Sequence, residues 1–122
     1  MSVVAVRVGI DGTVSEIDLG QDTGAGLRAA IECRGFDVVR LAPGLDMWID
    51  DEGLFTADPV VNTVATAIAW AYGFVWQKYV GVAVFASSDD EGETVSLPDA
   101  DRSALVDAAR EVSALHAAGV SV

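Results

Sequence analysis

Cysteine is nearly missing from this chain: Cys33 stands alone. One thiol permits no internal disulfide and no thiolate metal cluster, and it fits a reducing, cytosolic setting. Histidine is as scarce. His116 is the only one, so a Cys/His zinc centre would need carboxylates to complete its shell, and a histidine-activated nucleophile has a thin basis. Bases are the third shortage. Seven Lys+Arg face 19 Asp+Glu in 122 residues, giving a formal net charge of −12, and Lys78 is the single lysine. Charged residues total 21%, slightly below an ordinary domain, so the acidity reflects missing bases more than surplus acids. DNA, RNA and anionic lipid all require a basic surface that such a chain lacks. The N-terminal residues lack the positive, apolar, small-residue order of a signal peptide. The longest apolar stretch, Val60–Trp76, lies at the short end of what spans a bilayer and is interrupted by Asn62, Thr63, Thr66 and Gly73, so it reads as a core segment. No membrane association and no cofactor are expected.

What is present is core material. Hydrophobic residues make up 52% of the chain and the mean hydropathy is +0.39, which excludes a mainly disordered acidic tail. The length suits one domain over residues 1–122 with a core large enough to need no staple. Val3–Gly9 and Thr13–Leu19 alternate around Asp11-Gly12, a strong hairpin signal. Glycine-rich Gly20–Gly26 reads as a flexible loop, lacking the residues of a P-loop or a dinucleotide fingerprint. A short helix is expected near Leu27–Cys33, ended by Gly35. Phe36–Leu41 and Leu45–Asp50 read as strands, Val60–Ala71 as an almost wholly apolar helix, and Tyr79–Ala86 as a central strand rich in β-branched residues. Ser87–Glu93 reads as a mobile acidic loop and Asp99–Ala118 as a helix stopped by Gly119, with acids in its first turn. The order ββαββαβα predicts an α+β domain with a largely antiparallel sheet.

Four segments occur in a fixed order: Gly35-Phe-Asp-Val-Val-Arg-Leu41, Met47-Trp-Ile-Asp-Asp-Glu-Gly-Leu54, Pro59-Val-Val-Asn-Thr-Val-Ala-Thr66 and Tyr79-Val-Gly-Val-Ala-Val84. As an ordered set they resemble a family of small bacterial and phage proteins known as a domain of unknown function, number 3846. The likeness spans about Val3 to Ser87. It implies a cytosolic protein often carried by phages or mobile elements, and it supplies no activity and no catalytic residue.

Candidate sites follow from the residues. Asp46, Asp50, Asp51, Glu52 and Asp58 gather near one turn, but without the spacing of an EF-hand loop. They suit a solvated hairpin end, an acidic edge that meets a partner, or a weak cation site. Asn62, followed by Thr63 and Thr66, suits helix capping; the alternative is the polar floor of a small-ligand or nucleotide pocket at a helix start. Trp70, Tyr72, Phe74, Trp76 and Tyr79 fall within ten residues, either padding the core or supplying desolvated anchors at an interface. His116 near a helix C-terminus is electrostatically comfortable without any catalytic duty. The reading that results is a non-enzymatic, acidic interaction module that binds a basic host or defence protein through Asp50, Asp51, Glu52, Trp76 and Tyr79. It has no metal site and makes no direct contact with nucleic acid. Self-association into a homodimer is a second expectation from the apolar excess, and a nucleotide-sequestering pocket at Asn62, Thr63 and Thr66 is the alternative function.

Overall fold

The computed structural model describes residues 3–32, 35–51, 60–75 and 77–117. These hold six strands and three helices: β1 (Val4–Val8), β2 (Val14–Asp18), α1 (Thr23–Ile31), β3 (Phe36–Ala42), β4 (Leu45–Asp50), α2 (Thr63–Ala71), β5 (Ala83–Ser88), β6 (Thr94–Val95) and α3 (Asp99–Ala117). The class is α+β in the expected order, with the two-residue β6 added. The sheet runs β2-β1-β5-β4-β3, β6 pairs with the far end of β5, and every pairing is antiparallel. Cys33, Arg34, Glu52, Asp58, Trp76 and Gly119 lie outside the described residues.

Both faces of the sheet are covered, and this explains why β5 is apolar at every position from Ala83 to Ala86. Phe85 and Ala83 point into a core shared with Val64, Ile68 and Leu105 of α2 and α3, while Val84 and Ala86 point the other way, toward Leu27 and Ile31 of α1. Period-2 geometry forces successive side chains to opposite faces, so a strand covered on both sides needs apolar residues at every position. The same rule places Met47 in the α2/α3 core and Trp48 against α1. Phe36 meets the Trp48 ring edge-on at 5.1 Å, and the Arg28 guanidinium sits 5.2 Å from the Phe36 ring centre.

Several boundaries differ from expectation, each for a local reason. Helix α1 begins at Thr23, four residues earlier than the glycines suggest, because the Asp22 carboxylate accepts from Ala25 N at 3.1 Å and caps it. Gly26 is therefore helical and packs directly on Leu19: a Cβ there would lie 2.8 Å from both Leu19 Cα and its carbonyl carbon. Glu32, not Gly35, closes the helix, in the left-handed region at φ 60°. Helix α2 begins at Thr63, since Asn62 is its cap and Val60 and Val61 stay extended. It ends in a Schellman arrangement, with Gly73 N donating to Trp70 O and Phe74 N to Ala69 O, and Gly73 takes φ 95°.

The largest correction concerns Tyr79–Val82, which is not strand. Val80 makes one isolated bridge to Val61, Gly81 turns at φ 80°, and β5 starts only at Ala83. The cause is competition for its backbone by α2: Tyr79 N donates to Thr66 Oγ1 at 2.9 Å, and Asn62 Nδ2 donates to Gly81 O at 2.9 Å. Ser87 and Ser88 belong to β5, and the acidic segment beyond them is a tight hairpin turn instead of a mobile loop. Asp89 organises it, its carboxylate accepting from Glu91 N and Glu93 N at 2.9 Å.

Candidate functional site

Two groups stand out among the described acids by what their carboxylates do. Asp11, Asp18, Asp22, Asp37 and Asp89 each accept hydrogen bonds from nearby backbone N–H groups. At these positions acidity is turn and cap chemistry, the local bonding that short acceptor side chains do best. Asp11 shows the consequence: hydrogen bonds from the Thr13 backbone and side chain hold its carboxyl below the ordinary carboxylate range. In the second group the side chains are exposed and their carboxylates make no hydrogen bond or ion pair among the described residues: Asp51, Asp90, Glu91, Glu93, Asp101, Asp107 and Glu111. Cations do little to offset them. On α3, Arg102 bridges Glu16 of β2 and Asp99, 2.8 Å away, fastening the helix to the sheet edge. Both carboxylates hold its guanidinium above the ordinary arginine range, Asp99 more strongly.

Of the expected partner-binding residues, Asp50, Asp51 and Tyr79 are described, and Tyr79 is buried away from the surface that carries Asp51. Asp50 is half-buried and has an interaction of its own. Asp51 is exposed, with its backbone N 3.3 Å from Gly35 O and its carboxylate lying over Gly35. Glu52 and Trp76 are outside the described residues. Tyr79 is only 3% exposed and belongs to the α2/α3 core, where burial pushes its phenol above the usual range. The aromatic run therefore splits. Phe74 packs on the core, Trp70 donates from Nε1 to Gln77 O at 2.8 Å, and Tyr72 is 47% exposed.

Asn62 and Thr66 are brought together, but their polar atoms face backbone. Asn62 is 1% exposed and makes three hydrogen bonds: Oδ1 accepts from Ala65 N at 3.0 Å, while Nδ2 donates to Val8 O at 3.0 Å and to Gly81 O. Thr66 Oγ1 accepts from Tyr79 N and lies 3.4 Å from Tyr79 O. A ligand at this point would have to displace backbone. Thr63, half-buried, opens the helix beside them. Asp46, in the same sequence cluster as Asp50, is 2% exposed within the sheet, and no group of three or more His, Cys, Asp or Glu able to hold a metal occurs among the described residues. His116 sits exposed in the last turn of α3.

The feature that the sequence reading passed over is a groove of about 480 Å³ between α2, α3 and the β3–β4 turn. Its walls are alanines, Ala67 and Ala71 from α2 and Ala104 and Ala108 from α3, and its floor is Ile68 and Leu105. Residues 42–45 close one end, and Asp101 and Tyr72 stand on the rim. Four-residue alanine spacing on both helices was the available signal: small side chains at i and i+4 leave one helix face concave. A smaller, polar cleft of about 290 Å³ separates β2 from α3, with Glu16, Asp107 and Arg110 along it.

Geometry and sequence together define an α+β domain in which, among the described residues, acid-lined surfaces and an apolar groove are open to a ligand or partner. The chain belongs to the family described as a domain of unknown function, DUF3846, which matches residues 1–109 and so runs well into α3, beyond the Ser87 limit expected from motifs. No curated protein and no solved structure matches the chain. No helix among the described residues is long and apolar enough to cross a membrane.

Proposed function

We propose that this protein is a non-enzymatic binding module that engages a basic protein partner in the cytoplasm, a host or defence protein where the chain is carried by a phage or mobile element. The observation that carries the reading is the second group of acids. Asp51, Asp90, Glu91, Glu93, Asp101, Asp107 and Glu111 are exposed, and their carboxylates serve no hydrogen bond or ion pair among the described residues, on a chain with net charge −12. Unneutralised surface charge speeds encounter with an oppositely charged partner and repels wrong ones. The nucleotide-sequestering alternative has no comparable support, since the polar atoms of Asn62 and Thr66 are occupied by backbone.

The experiment is affinity capture from an extract of the native host at graded salt, with bound species identified by mass spectrometry. A basic protein released by salt is the expected result. A variant with Asp90→Asn, Glu91→Gln, Glu93→Gln and Asp101→Asn should capture less of it, while Asp89, which holds the hairpin together, is left in place. Co-purification of a small molecule with no protein partner would overturn the reading.

A further inference from the structure

We propose that the groove between α2 and α3 is the docking site for an amphipathic helix that carries lysine or arginine at both ends of its apolar face. The inference rests on the binding-module reading and names the surface and the kind of segment that the module takes. Shape argues first. The groove runs along α3 from Asp101 to Val112, about three helical turns or ~16 Å at 1.5 Å per residue, and its walls are small enough for another helix backbone to approach closely. A volume of about 480 Å³ suits a few aliphatic side chains presented at i, i+4 and i+7, the usual way an amphipathic helix fills a groove. Within the lining Tyr72 is 47% exposed, and exposed apolar surface continues past it at Leu115, three residues beyond Val112 on α3 and 40% exposed.

Charge selects the occupant. Asp101 is the only charged residue in the lining, and Glu111 follows Ala104 and Ala108 along α3 at spacings of seven and three. Both are exposed, and neither has an ion-pair partner among the described residues. Asp101 lines one end of the groove, and Glu111, outside the lining but next to Val112, stands level with the other end about 15 Å along α3, so a helix lying along the groove passes the two carboxylates with residues about ten positions apart. A second copy of this chain is disfavoured, because each copy brings a net charge of −12 to an acid-rimmed surface.

A display library of randomised helical peptides panned on the full chain tests this. Selected peptides should carry apolar residues at i, i+4 and i+7 and a cation near each end, and a representative should shift amide signals of α2 and α3 in NMR spectra. Filling the groove from its exposed walls, with Ala108→Trp or independently with Ala71→Trp, should weaken binding at least about tenfold while the circular dichroism spectrum is unchanged. Asp101→Asn should weaken it about threefold and flatten its salt dependence. Peptides without charge bias, or ones that bind both tryptophan variants undiminished, would overturn the proposal. So would a concentration-dependent dimer abolished by Ala71→Trp, which would make the occupant a second copy. Basic peptides that shift only Asp51 or the Asp89–Glu93 hairpin would remove the groove and leave the module reading standing. An absence of basic binders, together with a host extract that yields none, would remove both.

Discussion

Glycine separates two roles that look identical in the sequence Thr23-Gly-Ala-Gly26. Both glycines are inside α1, where glycine is weaker than alanine by about 0.5–1 kcal/mol. A Cβ at Gly24 meets nothing closer than 3.5 Å, whereas at Gly26 it overlaps the Leu19 backbone. Gly24→Ala should therefore stabilise the fold by about 0.5 kcal/mol, and Gly26→Ala should destabilise it by about 1–3 kcal/mol. Urea unfolding of the pair decides it; equal shifts would mean that α1 does not press on residue 19. Tyr79 gives a second test at this scale. Its phenol titrates above 10.0 because burial penalises the phenolate, so the folded pKa exceeds the unfolded one. The neutral tyrosine's contribution is then complete below pH 10 and is lost as pH rises through the folded pKa, because the unfolded chain ionises first. Tyr79→Phe should keep more of its stability between neutral pH and pH 11 than the parent, measured by thermal melts across that range.

At the scale of elements, what could be read from the sequence was whatever local patterning dictates. The Asp11-Gly12 hairpin, β4 to the residue, the capping role of Asn62 and the acidic start of α3 all follow from residue type and spacing. The helix boundaries were shifted by local caps at Asp22 and Asn62, whereas the error before β5 comes from tertiary contact overriding local preference. Val82 and Tyr79 carry strand-forming side chains, yet α2 holds the backbone at Tyr79 and Gly81 away from the ladder. Met47 and Phe85 are fully buried on one face while Val84 of the same sheet is buried on the other, which alternation within one strand does not reveal. For the site, the sequence pointed to acids and aromatics but not to their division into capping and unattached acids, nor to the inward turn of Tyr79. Those depend on which backbone N–H groups lie within reach. Asn62 concentrates this logic, joining the start of α2 to β1 and to the turn before β5. Asn62→Ala removes a cap and leaves the Val8 and Gly81 carbonyls without that donor, and should cost about 3 kcal/mol. Asn62→Asp should do no better, although aspartate caps helices as well as asparagine, because a carboxylate cannot donate to those carbonyls. A near-neutral Asp variant in denaturant melts would reduce Asn62 to an ordinary cap.

The whole molecule carries more like charge than its ion pairs relieve. Arg102 serves Glu16 and Asp99, and Arg7 donates from Nε to Ala30 O near the C-terminal end of α1, where the helix dipole favours a cation. These contacts tie elements together without neutralising the unattached acids on α3 and the β5–β6 hairpin. Repulsion among such charges favours the expanded chain, and salt screens it over about 8–10 Å at physiological ionic strength. Raising sodium chloride from near zero to about 0.3 M should therefore stabilise the fold, by about 1 kcal/mol or roughly 3–5 °C in Tm. The same salt should weaken capture of a basic partner, since screening removes the attraction that steers it. Stability and binding thus move in opposite directions with ionic strength if both arise from the same exposed carboxylates. Neutralising Asp90, Glu91, Glu93 and Asp101 should shrink both slopes together. A variant that loses the salt dependence of binding but keeps that of stability would place the repulsion elsewhere, among the acids of β2 and the turns, and would separate the charge that strains the fold from the charge that finds the partner.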